Sequence, residues 1–376
     1  MRPMLHVLAV VIACLTIATT AEAEKLPLYI GTGGDAIYLS QFDTDEGTLS
    51  KATPVASTDR PSFLWIHPAT DSLYSVSELR RGKQSGGAAI VAWSIDSVAG
   101  QLRLRNKQDA GGDGPCFVAV SQDGRYAAIA NYGGGSVSLF PIADDGSVQP
   151  ATATVQHSGS SINPRRQGEP HAHSSRFDPS GRRVAVADLG TDKVYLYDIG
   201  DAGSLDPSQP AAIDVPPGSG PRHFVFSPDE KFVLILGELS GTITTVRYAP
   251  PKIETVDTIS TMGADVADDA PRGSAEILFH PNGRWVYATN RGPNEIAVFD
   301  YDAATGKLQR TSAIASGGQH PRNFRISPDG RFLLCANQQS NNIVVFAIDP
   351  STGELSRAGK ELSVDQPMCL KFLLPK

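Results

Sequence analysis

The chain has 376 residues, of which 40 % are hydrophobic and 19 % are charged, which is ordinary for a globular protein. Its formal net charge of −7 argues against nucleic acid as a partner, because binding to a phosphate backbone requires a basic surface. The 36 glycines and 27 prolines are spread along the chain, which favours many short strands joined by turns.

The first 23 residues are predicted to be a secretory signal peptide. Arg2 supplies a basic start, Leu5 to Ile17 form an apolar stretch, and Ala23 completes a small-x-small cleavage site. The apolar stretch is short for a membrane span, so no span is expected. The alternatives are a lipoprotein signal ending at Cys14 or a buried first strand. We therefore expect an exported chain, either periplasmic or secreted.

A turn signature recurs along the remaining part, residues 24–376. One clear copy is Ser-Pro-Asp-Gly-Arg at 327–331. When its second residue is taken as an anchor, the copies stand at positions 68, 122, 179, 228, 281 and 328. The period of about 50 residues is typical of a four-stranded propeller blade. Each repeat reads as an inner strand, a hairpin turn and three further strands.

The two ends of the chain supply a seventh repeat. Pro367 begins another inner strand close to the end of the sequence, and the segments 28–30 and 37–39 match strands of a complete repeat. We therefore predict one all-β domain, a seven-bladed β-propeller whose ring is closed by N-terminal strands pairing with the C-terminal strand. Closure hides the sheet edges that would otherwise promote aggregation.

The repeat register predicts two rings of residues at one mouth of the central channel. Antiparallel pairing places the start of each inner strand beside the end of the second strand. The first ring lies six residues before each anchor, and the second lies ten residues after it. The polar members of the two rings include Glu78, Tyr132, His173, Arg222, Glu238, Arg291 and Arg322.

These residue types suit acyl chemistry. Glu238 or His173 can activate a water molecule, while arginines can hold an anionic substrate and stabilise the developing oxyanion. The structural alternative is a network of salt bridges between blades that only stabilises the ring.

Metal and nucleotide chemistry are less well supported. Glu169, His171 and His173 alternate along the chain and would share one face of a strand, but no second cluster completes a metal site. Gly133 to Gly135 lack the Lys of a phosphate loop. We predict no metal and no other cofactor. His157 and His320 lie in predicted loops and are expected to be solvated.

Several motifs resemble one known family, together and in order. They are Ala-Asn-Tyr-Gly-Gly-Gly-Ser-Val at 130–137, His-Ser at 173–174, Gly-Pro-Arg-His at 220–223, Gly-Glu-Leu at 237–239, and Pro-Arg-Asn-Phe at 321–324 followed by Ala-Asn-Gln at 336–338. The chain thus resembles the seven-bladed β-propeller lactonases, the family of 6-phosphogluconolactonase and carboxymuconate lactonising enzyme. The resemblance covers residues 25–376.

The resemblance implies an active site of one His, two Arg and one Glu. By motif, the catalytic residues are His173, Arg222, Glu238 and Arg291, with Arg272 as the alternative second arginine. The candidate substrate-binding residues are Arg272, Arg322, His223, Glu78 and Tyr132. The implied activity is hydrolysis of a small sugar lactone such as 6-phosphogluconolactone.

Two other functions remain open at this point. One is a non-catalytic envelope propeller that binds a protein or a glycan, because fold alone does not decide function. The other is a lactone-forming cycloisomerase, because the resembling family contains one. Export also favours an unphosphorylated sugar lactone, because phosphogluconolactone is a cytosolic intermediate.

Overall fold

A computed structural model of the chain describes residues 25–80, 87–96, 98–264, 266–267 and 270–375. The described residues form β-strands arranged in seven antiparallel sheets. They contain no helix that is long and apolar enough to cross a membrane. The predicted signal peptide, residues 1–23, and the alternative lipidation site at Cys14 lie outside the described residues.

The strands follow one another as blades around a ring. The chain begins in the closing blade with β1 (Lys25–Thr32), β2 (Ala36–Asp43), β3 (Thr48–Leu49) and β4 (Thr53–Ser57). Three blades follow, given from inner to outer strand: β5 (Leu64–Ile66), β6 (Ser72–Ser77), β7 (Ala89–Ile95), β8 (Leu102–Asp109); β9 (Pro115–Val120), β10 (Tyr126–Asn131), β11 (Ser136–Pro141), β12 (Ala153–Gln156); and β13 (Ala172–Phe177), β14 (Arg183–Asp188), β15 (Lys193–Ile199), β16 (Leu205–Asp214).

Three further blades and a last strand complete the ring. They are β17 (Pro221–Phe226), β18 (Phe232–Gly237), β19 (Thr242–Ala249), β20 (Lys252–Ser260); β21 (Ser274–Phe279), β22 (Trp285–Asn290), β23 (Glu295–Tyr301), β24 (Leu308–Ala315); β25 (Pro321–Ile326), β26 (Phe332–Asn337), β27 (Asn342–Ile348), β28 (Leu355–Ser363); and β29 (Pro367–Phe372).

The predicted closure of the ring is confirmed. Strand β29 is the inner strand of the closing blade and pairs antiparallel with β1, with Leu28 opposite Phe372 and Ile30 opposite Leu370. The hydrophobic core lies between neighbouring blades. For example, the ring of Phe42 in the closing blade meets that of Phe332 edge to face, with centroids 5.7 Å apart.

The recurring turn signature has a local physical reason. Ser121 Oγ donates a hydrogen bond to Asp123 Oδ1 at 2.6 Å and accepts one from the Tyr126 backbone N–H at 3.0 Å. Equivalent bonds join Ser227 to Asp229 and Ser327 to Asp329. The side chains thereby satisfy turn donors that a hairpin leaves unpaired, which is why these residue types recur at that spacing.

The inner strands bulge where they enter the channel. Pro221 pairs with Gly237 and His223 with Leu236, so Arg222 between them is an extra, unpaired residue. Five inner strands have such a bulge, one each, and the extra residues are Cys116, His173, Arg222, Arg322 and Met368. A bulge redirects a side chain and is frequent beside active sites. Four of them lie six residues before an anchor, in the first predicted ring, and Met368 takes the equivalent position in the closing blade.

Candidate active site

The two predicted rings lie at the same end of the channel because backbone bonds hold them together. The Glu238 N–H donates to the Gly220 carbonyl at 2.8 Å, and the Arg291 N–H donates to the Gly273 carbonyl at 3.1 Å. Gly220 has a φ of +61° and Gly273 one of +68°, in the left-handed region that glycine adopts without strain. These glycines allow the turn that places each second-ring residue beside an inner strand.

Glu238 is the centre of the candidate site. Its Oε1 atom lies 2.8 Å from Arg166 Nη2, and its Oε2 atom lies 2.8 Å from Arg291 Nη2 and 3.0 Å from Arg222 Nε. Burial by itself would raise the pKa of Glu238, but the charges of the three arginines outweigh burial and lower the pKa to about 2. The carboxylate is therefore ionised at neutral pH and engaged by three guanidinium groups.

The structure distinguishes the two candidates for the second arginine. Arg291 forms the ion pair with Glu238, and its Nε atom also donates to the Gly273 carbonyl at 2.7 Å. Arg272 instead lines a cavity of about 390 Å³ beside this pair, together with Arg166 and His320. Arg291 thus takes the position next to the carboxylate, and Arg272 lies at the rim.

Arg222 is buried, and contacts with neighbouring residues orient its guanidinium group. Its side chain is 2 % exposed, its Nη1 atom donates to the Ala275 carbonyl, and the same atom lies 3.3 Å from His223 Nε2. Burial, followed by the charges of Arg291 and Arg322, lowers the pKa of Arg222 to about 9. The guanidinium remains charged at neutral pH, but in an environment that favours an anion beside it.

His223 lies one layer below the mouth. Its Nδ1 atom is 2.8 Å from Glu276 Oε1, and its residue is 2 % exposed. Burial lowers the pKa of His223 to about 4, so the imidazole is neutral at neutral pH. His223 contacts Arg222 from this buried position, and its substrate-binding role stays a prediction. Its position suits orientation of Arg222.

His173 is a neutral, weakly held imidazole at the mouth. Burial, followed by the positive charge of Arg222, lowers the pKa of His173 well below its usual value. Its ring packs against that of Tyr132 at 5.4 Å between centroids. The ring also lies 5.4 Å from that of His223 between centroids, and its Nδ1 atom lies 4.0 Å from the Cys116 sulfur. Nε2 has no hydrogen-bond partner among the described residues, so it is the ring nitrogen that can contact a substrate or a water molecule.

The remaining predicted residues surround this centre. The Tyr132 hydroxyl accepts a hydrogen bond from Arg166 Nη2 at 3.0 Å. Glu78 lies 3.9 Å from Arg60, and its Oε2 atom is buried without a hydrogen-bond partner in the described part of the chain. Arg322 is half-buried and makes no ion pair or hydrogen bond to another described residue. Its charge nevertheless contributes to the lowered pKa of His173.

Arg166 was missed by the sequence analysis. It lies between β12 and β13, outside the repeating positions on which the two rings were predicted. The available signal was the spacing from anchor 122 to anchor 179, the longest in the series, which indicates an insertion in that blade. An insertion beside the mouth is where a propeller can add a site residue without disturbing its strands.

Two histidines predicted to be solvated are not. His157 is buried, with its Nδ1 atom 2.6 Å from Asp188 Oδ2. His320 is half-buried at the rim, and burial together with Arg291 lowers its pKa to about 4. The loops that carry them fold over the ends of the blades, which a prediction from loop composition cannot recognise.

His171, one of the three residues considered above as half of a metal site, contacts Tyr132. The Nδ1 atom of His171 is 3.0 Å from the Tyr132 carbonyl oxygen, and its ring stacks on that of Tyr132 at 4.6 Å. Over the residues with described positions, no group of three His, Cys, Asp or Glu side chains is arranged to hold a metal ion.

Comparison with known proteins agrees with this architecture. Residues 17–372 match the sequence model of the family "Lactonase, 7-bladed beta-propeller". The chain is 34 % identical over 351 residues to the 6-phosphogluconolactonase of Bacillus subtilis strain 168, covering 92 % of this chain and 97 % of that protein. It is 37 % identical over 297 residues to the 6-phosphogluconolactonase of Formosa agariphila, covering 78 % and 82 % of the two chains.

A solved structure extends the comparison to three dimensions. The periplasmic gluconolactonase of Pseudomonas aeruginosa superimposes with a TM-score of 0.88 and 31 % sequence identity, covering 93 % of this chain and 99 % of that one. The fold, the matched motifs and these relatives lead to one conclusion: the chain belongs to the seven-bladed β-propeller lactonase family.

Proposed function

We propose that this protein hydrolyses a sugar lactone at the mouth formed by His173, Arg222, Glu238 and Arg291. The observation that carries the proposal is the Glu238 carboxylate held by three guanidinium groups beside a neutral imidazole. The relatives named 6-phosphogluconolactonase support the reaction class, hydrolysis of a cyclic ester.

His173 is the better candidate for the base. A pKa of about 2 makes Glu238 a poor proton acceptor at neutral pH, and three guanidinium groups already engage its oxygen atoms. His173 is already unprotonated. An anionic substrate would offset the arginine charges that lower its pKa, so the imidazole becomes more basic when the site is occupied.

The chemical steps then follow with their protons balanced. Water attacks the lactone carbonyl carbon while His173 accepts its proton, which gives a tetrahedral oxyanion. Arg222 and Arg291 are placed to stabilise that oxyanion, because Glu238 holds both groups in fixed orientations before the reaction. When the ring C–O bond breaks, the proton passes from His173 to the leaving alkoxide, and the product is an open-chain hydroxy acid.

The substrate class follows from the charge of the mouth. Arg322 has no carboxylate partner among the described residues, and Arg166 and Arg272 line the adjoining cavity. Guanidinium groups bind phosphate and carboxylate in a planar, bidentate manner. We therefore propose a polar sugar lactone, 6-phosphogluconolactone or its unphosphorylated equivalent, with the phosphate or hydroxyl end near Arg322.

We also propose that the chain is exported. The basic start, apolar stretch and small-x-small site of residues 1–23 favour cleavage after Ala23. A periplasmic gluconolactonase of the same fold supports this location. Mass measurement of the mature protein from the native envelope fraction tests it. An intact Met1 would contradict export, and a lipid on Cys14 would contradict cleavage after Ala23.

A panel of lactones tests the proposed activity. Phosphorylated and plain sugar lactones are offered to the wild type, and acid release is followed with the spontaneous rate subtracted. Replacing the base, His173→Asn, is expected to lower kcat by about 10²- to 10⁴-fold. The control is His280→Asn, a buried histidine whose ring bonds to Gly330 in a turn remote from the mouth.

The two arms of this experiment separate two failures. A wild type that hydrolyses none of the lactones would refute the proposed activity. A wild type that hydrolyses one of them, with His173→Asn equally active and equally folded, would refute the role of His173 alone.

A further inference from the structure

Three unpaired cations lie at the far end of the channel, opposite the mouth. Arg176, Arg325 and Lys371 each stand three residues before their anchor or its equivalent, so the repeat places them in one layer. All three are half-buried, and none makes an ion pair or a hydrogen bond to another residue that the structure describes. The Nε atom of Arg176 is completely buried without a partner. Charges are seldom buried without a partner, because desolvation is costly.

A middle layer separates this end from the mouth. The rings of Phe63 and Phe117 stack with centroids 4.0 Å apart, and His223 packs edge-on against Phe117 at 5.2 Å. Beside them, Glu276 accepts hydrogen bonds from His223 and from Asn323. The aromatic pair and this polar group fill the channel, so an anion at the far end would not share a site with a lactone at the mouth.

The protein compensates only part of the positive charge. Glu276 is the carboxylate that acts on all three cations, but its oxygen atoms are bonded within the middle layer. Lys371 Nζ lies 4.5 Å from the centroid of the Trp65 ring, and this cation–π contact offsets a small part of the cost of burying the ammonium group. Burial lowers the pKa of Lys371 to about 7. Two guanidinium groups and a partly protonated ammonium therefore face a single carboxylate, and positive charge remains in excess at this end.

The cations line a cavity that is large enough for a metabolite. Its volume is about 620 Å³, within the range of ligand sites, and Trp65, Arg176, Arg325 and Lys371 form part of its wall. Pro68 and Leu374 at its edge are exposed, so the cavity opens to solvent.

We propose that this far-end cavity binds a phosphate-bearing small molecule, whose phosphate lies among Arg176, Arg325 and Lys371. A phosphate monoester carries a charge close to −2 at neutral pH, opposite in sign to the excess positive charge of the cavity. Two guanidinium forks and an ammonium group supply donors in the geometry that phosphate accepts. The inference is independent of the reaction at the mouth.

Tryptophan fluorescence offers a local probe of this site. The chain has three tryptophans, of which Trp93 and Trp285 are buried in blades and Trp65 lines the cavity. Inorganic phosphate is titrated into the full-length protein at constant ionic strength, and emission and the melting temperature are recorded. We expect a saturable change in emission and a rise in melting temperature. Trp65→Phe should abolish the change in emission and keep the rise.

Matched variants identify the residues involved. Arg325→Gln and Lys371→Gln should each weaken phosphate binding about tenfold or more, because each removes a charge-assisted contact. Arg322→Gln, at the mouth, and Arg284→Gln, whose guanidinium lies over the Trp285 ring on a turn, should leave the Trp65 response unchanged. Without phosphate, the Arg325 and Lys371 variants should melt at the same temperature as the wild type or higher, since an uncompensated buried charge is removed.

Three results would overturn the inference. The first is the absence of any saturable response of Trp65 to phosphate. The second is that Arg325→Gln and Lys371→Gln destabilise the phosphate-free protein yet retain the phosphate response, which would assign the cations a structural role. The third is that gluconate, a carboxylate without phosphate, binds more tightly than phosphate, which would identify a different anion.

Discussion

Arg166 and Glu238 are 72 residues apart in the chain, yet Arg166 Nη2 lies 2.8 Å from Glu238 Oε1. The contact joins the segment between β12 and β13 to the end of β18, with the blade β13–β16 lying between them in chain order. The Arg166 side chain is 41 % exposed and that of Glu238 is 6 % exposed, so the arginine covers the carboxylate from the solvent side. One negative charge therefore helps to hold both the segment that carries Arg166 and the side chains of Arg222 and Arg291.

Removing that charge tests the centre of the site. In Glu238→Gln, three guanidinium groups lose their common counter-charge. We expect kcat/KM for the preferred lactone to fall by about 10²- to 10³-fold because the oxyanion donors lose their fixed orientation. Breaking a buried ion pair on one side also costs about 3–5 kcal/mol in the free energy of unfolding. Steady-state kinetics and denaturant titration measure the two effects.

The matched control for this variant is Glu361→Gln, because Glu361 pairs with Arg357 at 3.0 Å on an exposed outer strand. It should change both quantities little. Near-normal turnover of Glu238→Gln on every lactone that the wild type hydrolyses would show that the mouth has been assigned wrongly.

Arg322 is predicted to select anionic substrates. Its guanidinium faces the mouth without an ion pair to a described residue, so replacing it removes a contact to substrate and leaves no protein carboxylate unpaired. In Arg322→Gln we expect KM for a phosphorylated lactone to rise about tenfold or more, with a smaller effect on kcat and on a neutral lactone. Arg125→Gln, which loses an exposed pair with Asp123, is the control. An equal effect on charged and neutral lactones would contradict this role.

His320 combines an unfavourable backbone conformation with a place at the rim. Its φ of +62° lies in the left-handed region, and its side chain lines the cavity with Arg291. In His320→Gly, relief of that conformation should keep the free energy of unfolding within about 1 kcal/mol of the wild type. Activity should fall about threefold to tenfold if the imidazole binds substrate. Gln366→Gly, with a φ of +40° at the equivalent turn, should retain activity.

The buried histidines predict how stability depends on pH. Burial lowers the pKa of His223 from 6.5 to about 4. Between these pH values the unfolded chain binds a proton at His223 and the folded protein does not. The contribution of the neutral His223 to the free energy of unfolding is therefore complete above pH 6.5 and is lost as the pH falls towards 4. We expect the wild type to lose about 2 kcal/mol more than His223→Asn between pH 7 and pH 4.5. Equal losses in denaturant titrations would contradict this account.

Ring closure is predicted to be essential for folding. Deleting residues 366–376 removes β29, the inner strand of the closing blade, and leaves one side of β1 without a partner. The lost pairing and core contacts should exceed the roughly 5–15 kcal/mol by which domains are stable, so the truncated chain should not unfold cooperatively. Deleting only residues 374–376, which follow β29, should leave the melting temperature nearly unchanged. A cooperative transition at the wild-type temperature in the longer truncation would refute the closure.

The sequence by itself determined the seven blades, the split closing blade and the two rings at the mouth. These features depend on a repeat whose turn residues have a local reason, such as the bond from Ser121 to Asp123. A regular register then places His173, Arg222 and Glu238 at one end without further information. Because side chains alternate between the two faces of a strand, the same register also applies to the residues that face the channel below the mouth.

Only the tertiary structure decided which charges meet. Arg166 lies in the long segment between β12 and β13, outside the repeating positions, so its contact with Glu238 depends on how that segment folds towards the blade β17–β20. The choice of Arg291 over Arg272 as the partner of Glu238, and the depth of His223 below the mouth, depend on side-chain directions that residue spacing does not contain. The pKa values follow from the same contacts, because burial and neighbouring charges act over a few ångströms in space, whatever the distance along the chain.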